Sequence, residues 1–367
     1  MPGSDSGTGA DRAAVGEPAG RPRPVALLLA GHGAQRAGMA TALYGWEPAF
    51  TEAMDEVFDC LGRVGERIRA DWLAEAPTRP IDDASRAHPL LFGIGYAVGR
   101  MLESWRVPIS VVLGHSTGEL AAAVLADVMD LRSAARLLVR RIRLFAQAPS
   151  GGMYAVAADA ETLAPFLRGG VVIGAYNGPR QILLSGPEPE LGEVVSELER
   201  AGIICRSARA ERGFHSPSLA PACTRSLPWF ETLLLRRPRM AMISGVLGVP
   251  LAPELAADPG YWALQPARPV RFGPALDTLV AAGDFVLVDG GPSRWVSAMA
   301  RRHPAVSSGA SALTALLGPR RAGPEADRPS ARAAAELLRR EGYPVPDTTP
   351  GPRPTPPSAV DAPGTAG

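Results

Sequence analysis

A chain of 367 residues that is 46% hydrophobic and 20% charged is long and apolar enough for a full α/β core plus a satellite domain. Its formal net charge of +1 provides no broad field for drawing in nucleic acid. Three dispersed cysteines, Cys60, Cys205 and Cys223, offer neither a disulfide framework nor a CxxC metal site, so a reducing, cytoplasmic compartment is expected.

Residues 1–23 are polar and rich in Gly and Pro without the apolar core of a signal peptide, and are read as a disordered tail. No apolar run approaches the roughly 20 residues that span a bilayer, so no membrane role is expected. The first strand is PVALLLAG at 24–31, followed by a glycine turn and a helical stretch beginning near Arg36. A helix from Pro89 to about Trp105, a strand ISVVLG at 109–114 and a helix from Thr117 to about Val128 come next. Buried apolar strands alternating with amphipathic helices predict a parallel sheet. Between 153 and 209 the order becomes βαββαβ, the ferredoxin-like pattern, read as an inserted small domain over 151–210. The large domain then occupies 24–150 and 211–318, resuming with MAMISGV at 240–246, a helix over about 273–282, the strand DFVLVDGG at 284–291 and a closing helix from Ser293. Residues 319–367, rich in Pro, Gly and Ala, are read as a mostly disordered tail with a short helical pattern near 329–341.

Chemistry concentrates at Gly114-His115-Ser116-Thr117-Gly118. A G-x-S-x-G placed between an apolar strand and an amphipathic helix has the context of a nucleophile elbow, with the serine exposed on a tight turn and the helix N-terminus favouring negative charge. A serine hydroxyl needs a base to attack a thioester near neutral pH, and the chain holds five histidines, His32, His88, His115, His215 and His303. His115 adjoins the serine but leaves the turn in another direction, and His303 sits at a helix end. His215, in Gly213-Phe214-His215-Ser216-Pro217, follows the small domain's last strand; from the residues alone it is a candidate base or an ordinary loop histidine.

Seven separated segments then match one pattern in order: AGHGAQRAGMA, GHSTGELAAA, RRIRLFAQ, AYNGPRQILLSGP, GFHSPSL, YWALQPARPVRF and VDGGPSRWV. Over about residues 24–318 the chain resembles the malonyl-CoA:acyl-carrier-protein transacylase family, which includes polyketide synthase acyltransferase domains, here as the discrete, trans-acting type. The resemblance implies an α/β-hydrolase-like large domain with a ferredoxin-like insert. It implies Ser116 as the acyl-carrying nucleophile and His215 as the partner that deprotonates it. The backbone amides of Gln35 and Thr117 are implied as an oxyanion hole, and Gln265 as the residue whose backbone carbonyl orients the histidine. Arg141, 25 residues after Ser116, falls where the family grips the free carboxylate of a malonyl-type group, a match that a two-pronged guanidinium makes and a neutral acyl chain cannot use. Arg140 and Arg143 beside it allow the alternative of a solvated basic helix face. Asn177 lies in the family's small-domain N-x-P-x-Q motif, and Phe214 resembles malonyl-selecting members.

Four features depart from the pattern. His32 and His88 stand where Gln is usual, Thr117 replaces an aliphatic residue or Gln, and Gly213-Phe214 lacks the usual Ala-Phe. These residues are expected to line the acyl pocket. The implied function is transfer of an acyl group, through a serine ester, from acyl-CoA or acyl-phosphopantetheine to an acyl carrier protein, with no metal or other cofactor. Three rivals accompany it: carrier-to-carrier transfer of an aminoacyl or peptidyl group, thioester hydrolysis, and a non-catalytic protein that only binds the carrier.

Overall fold

The computed structural model describes residues 21–347. In chain order the elements are β1 (Val25–Leu29), α1 (Pro48–Leu61), α2 (Arg63–Leu73), α3 (Ala84–Ser104), β2 (Ile109–Gly114), α4 (Thr117–Leu125), α5 (Leu131–Phe145), β3 (Gly151–Val156), α6 (Ala160–Leu163), β4 (Val172–Gly178), β5 (Gln181–Pro187), α7 (Glu190–Arg200), β6 (Cys205–Ser207), α8 (Ala220–Glu231), β7 (Ala241–Ile243), α9 (Pro253–Ala256), α10 (Pro259–Leu264), α11 (Phe272–Ala281), β8 (Val286–Asp289), α12 (Trp295–Ala300), α13 (Pro304–Ser307), β9 (Ala312–Ala315) and α14 (Asp327–Arg340).

Five strands form a parallel sheet in the order β7-β2-β1-β8-β9. β1 is central and all five of its side chains are fully buried, as expected of an apolar run covered on both faces. α3 and α4 pack together over β1 and β2, with α1 and α5 against α3. Both α3 and α4 are buried along almost their whole length. The second sheet, β4-β5-β3-β6, is antiparallel and carries its own core of Val156, Leu163, Ile182, Leu184, Val194 and Leu198. Its βαββαβ order and strand sequence are ferredoxin-like. Two backbone bonds, Tyr176 N–H to Val270 O at 2.7 Å and Val270 N–H to Gly174 O at 2.9 Å, fasten β4 to the segment before α11.

Two sequence expectations are corrected. The stretch from Arg36 is a series of turns, and helix begins only at Pro48; Gly33, Gly38 and Gly45 all have positive φ there, which no continuous helix accommodates. The tail expected from 319 does not begin there. α14 buries Ala331, Ala334, Ala335 and Leu338 and packs against β9, a strand the sequence pattern does not separate. Alanine supplies that buried face, so the segment lacks the large apolar residues by which a docked helix is usually recognised. At the other end Arg23 bonds the Glu341 carboxylate through Nε at 2.9 Å.

Candidate active site

Ser116 occupies the turn from β2 into α4 with φ 54° and ψ −115°, a strained conformation for a non-glycine residue that costs on the order of 1–3 kcal/mol. The flanking glycines are there for space. A Cβ on Gly114 would lie 2.2 Å from Glu119 N, and one on Gly118 would lie 2.4 Å from Leu29 O. The G-x-S-x-G pattern is therefore the sterics of a helix start pressed against the end of β1.

His215 reaches the serine from the chain returning out of the small sheet, and its Nε2 is 2.7 Å from Ser116 Oγ. The opposite ring atom, Nδ1, is 2.9 Å from Arg268 O. A carbonyl only accepts, so Nδ1 carries the proton and Nε2 presents its lone pair to the serine hydroxyl. His215 N–H donates to Pro266 O at 2.7 Å, fixing a residue that itself has φ 64°. Burial pushes the imidazole down to about 4; Arg141 and His32 add to the fall, and the Arg268 and Gln265 carbonyls partly oppose it. The ring is thus neutral at pH 7.

Two backbone carbonyls bear on the histidine: that of Arg268 is 2.9 Å from Nδ1, and that of Gln265, expected from the sequence, acts on the ring beside it while receiving Arg268 N–H at 3.2 Å. The Gln265 side chain donates to Ser116 O at 2.9 Å and to Glu119 Oε2 at 3.2 Å. Glu119, 1% exposed, also accepts from Gly245 N at 2.9 Å and Tyr261 Oη at 2.5 Å. Burial pushes its carboxyl up to about 7. This network ties the elbow from below to the segments after β7 and along α10. Sequence reasoning passed over Glu119, although an acid set in the apolar run of α4 was the available signal.

The Gln35 side chain is engaged at both ends, its Oε1 accepting from Gly33 N at 2.7 Å and its Nε2 donating to Asp82 Oδ1 at 2.9 Å. The backbone amides of Gln35 and Thr117 donate no hydrogen bond to other groups among the described residues. Thr117 follows Ser116 directly as the first residue of α4, where a helix start leaves its N–H groups without intrahelical partners. The Gln35 loop is held from behind by Asp327 at the start of α14. This fully buried carboxylate pairs with the Arg36 guanidinium and accepts from Ala40 N at 2.9 Å and Gly318 N at 2.7 Å.

Arg141 lies on the buried side of α5, 5% exposed. One guanidinium nitrogen donates to Trp262 O at 3.2 Å, the rings of Phe145 and Phe230 stand 5.6 Å from its centre, and Nε has no partner. Among the described residues it forms no ion pair. Burial lowers it to about 10, so it stays charged at pH 7. The solvated basic face is borne by Arg140 and Arg143 instead.

His115 turns away from the serine, as expected, and its Nε2 meets Asn177 Oδ1 at 3.0 Å beside the rings of Trp295 and Phe272. Asn177 therefore links the small sheet to the elbow, its oxygen engaged by His115. His32, Phe214 and Phe145 line a cavity of about 240 Å³ between the start of α3, the end of α5 and the chain at 210–214. The His88 ring packs on His32 and Phe214 at 5.2 and 5.3 Å between centroids.

The family model described as an acyl transferase domain matches residues 27–311. Polyketide synthase GfsA of Streptomyces halstedii is 33% identical over 332 residues, 87% of this chain and 4% of that protein. The chain thus spans only a small fraction of that relative's length. Among solved structures, the acyltransferase domain from the second module of the salinomycin polyketide synthase is 34% identical with a TM-score of 0.77, covering 86% of this chain and 74% of that one. The acyl transferase domain of SpnD, in complex with 2-(pent-4-yn-1-yl)malonyl, is 29% identical with a TM-score of 0.81, covering 89% and 79%.

Proposed function

The chain belongs to the acyl transferase domain family, and from that premise we propose that it carries a malonyl-type acyl group, as an ester on Ser116, from a thioester donor to the phosphopantetheine thiol of an acyl carrier protein. In the first half-reaction His215 Nε2 takes the Ser116 hydroxyl proton as Oγ adds to the thioester carbonyl. The oxyanion rests on the Gln35 and Thr117 amides, each donor contributing about 2.7–4 kcal/mol in comparable sites. The intermediate collapses with cleavage of the C–S bond, and the imidazolium returns its proton to the departing thiolate. A carrier-protein thiol then gives its proton to His215 and attacks the serine ester, restoring Ser116 and forming a new thioester. Both halves are carbonyl addition and proton transfer, for which no metal or redox cofactor is invoked. Discrete action in trans on a carrier protein, in the cytoplasm and in polyketide-type biosynthesis, belongs to the same reading.

The observation that carries the substrate class is Arg141. A guanidinium taken out of water without a carboxylate is costly, and it sits where its charge acts on both His215 and His88. A second carboxylate on the acyl group supplies the missing partner. The solved relative in complex with a substituted malonyl group is in keeping with this choice. Arg141→Ala is expected to cut malonyl loading by roughly 30- to 1000-fold, the equivalent of about 2–4 kcal/mol for an interaction with a buried charge, while acetyl loading changes little. A variant that loses both donors equally contradicts the carboxylate reading. Hydrolysis and carrier-to-carrier transfer share the serine ester and differ in what attacks it or delivers it.

A further inference from the structure

Beside the site two buried imidazoles carry polarity that a plain malonyl group does not use. His32 and His88 are 8% and 5% exposed, and their rings meet each other and Phe214 edge to face or tilted. Neither ring nitrogen of His32, nor Nε2 of His88, has a hydrogen-bond partner among the described residues. Burial holds the His32 imidazole below the ordinary value, and the Asp82 carboxylate and the Arg209 backbone partly oppose it. Burial holds His88 far below it, aided by the neighbouring His32, Arg141 and His215. Both rings are therefore neutral, each offering one N–H and one lone pair. They flank Phe214, which packs on Phe145 under the Arg141 guanidinium, and His88 lies close enough to Arg141 and His215 for their charge to act on it.

Buried polar atoms are seldom left without partners, and three of them on two touching rings, one of which lines the cavity, point to a ligand that completes them. We propose that His32 and His88 make the pocket select a malonyl-type acyl group bearing a hydroxyl on its α carbon, in preference to unsubstituted or α-alkyl malonyl groups. A hydroxyl both donates and accepts, which two neutral imidazoles can match. An α-alkyl branch would leave the nitrogens unpaired, and an α-ammonium would place a second cation in the poorly hydrated space around Arg141. A site built to bond a substrate hydroxyl discriminates strongly against the analogue that lacks it.

This inference rests on Arg141 holding the free carboxylate, and the test separates the two. The full chain is mixed with equimolar pantetheine thioesters of acetate, malonate, methylmalonate and hydroxymalonate, and the acyl groups on the protein are counted by intact mass before loading saturates. The hydroxymalonyl-to-malonyl ratio is expected to exceed ten in the wild type, and to fall toward one in His88→Leu and in His32→Leu/His88→Leu. Each ratio comes from a single sample, so it is independent of how much variant folds. A wild-type ratio of one or less, or a ratio unchanged in the variants, overturns the inference and leaves the malonyl reading intact. Preferential loading of acetyl overturns both.

Discussion

At the scale of single residues, burial sets protonation in the proposed reaction. His215 acts as a base only when neutral, so a value near 4 places its inactivating protonation well below the ordinary histidine range. The rate of Ser116 acylation is expected to stay level from pH 8 to about 5.5 and to fall only below about pH 5. An ordinary imidazole would already have lost about tenfold at pH 5.5, and such a loss in burst kinetics would show that His215 is solvated. Glu119 acts at one remove. Its replacement by Ala strands Gly245 N–H and one Gln265 N–H in a buried place and leaves the Tyr261 hydroxyl only its contact with Ser244 Oγ, and is expected to cost about 3 kcal/mol in denaturant unfolding. An unchanged midpoint would mean that the elbow does not depend on this network. Ser116 stood out in the sequence because a steric turn leaves a local mark in flanking glycines, whereas His215 read from the residues alone as a base or an ordinary loop histidine, and only the family resemblance singled it out. The Arg268 carbonyl was not legible, since every residue has a backbone carbonyl and only the fold decides which one faces Nδ1.

At the scale of elements, α14 belongs to the catalytic body. Its Asp327 neutralises Arg36, the residue next to Gln35, and bonds two backbone amides of the surrounding loops. Breaking a buried ion pair by removing one partner typically costs about 3–5 kcal/mol, because the remaining charge stays unpaired. Asp327→Ala is therefore expected to lower thermal stability sharply and to slow acylation by loosening the loop that carries the Gln35 amide. Ending the chain at Gly318 should reproduce both effects by exposing the face that packs on β9. A trimmed protein with unaltered melting and burst rate would show that α14 only decorates the fold. The strands β1, β2 and β5 announced themselves through continuous apolar runs, whereas α14 presents alanines toward the core and arginines outward, a pattern composition alone reads as tail.

At the scale of the molecule, two sheets divide the work. The parallel sheet holds Ser116, the amide pair and, through α5, Arg141, while the chain leaving the antiparallel sheet delivers His215 and Phe214. Backbone bonds between β4 and Val270, and the His115–Asn177 pair, keep the two halves in register. The order of elements was readable because each half follows its own rule of strand and helix alternation, yet their juxtaposition at a 2.7 Å contact spans 99 residues of sequence and follows only from the packed fold. In the proposed reaction this contact makes an acyl-enzyme. Its most direct test is intact mass after brief incubation with malonyl-CoA and with a malonyl carrier protein, followed by peptide mapping. One malonyl group is expected on Ser116 in the wild type, none in Ser116→Ala, and loading slowed by several orders of magnitude in His215→Ala. A malonyl group acquired by Ser116→Ala, or found on any other residue of the wild type, would contradict it.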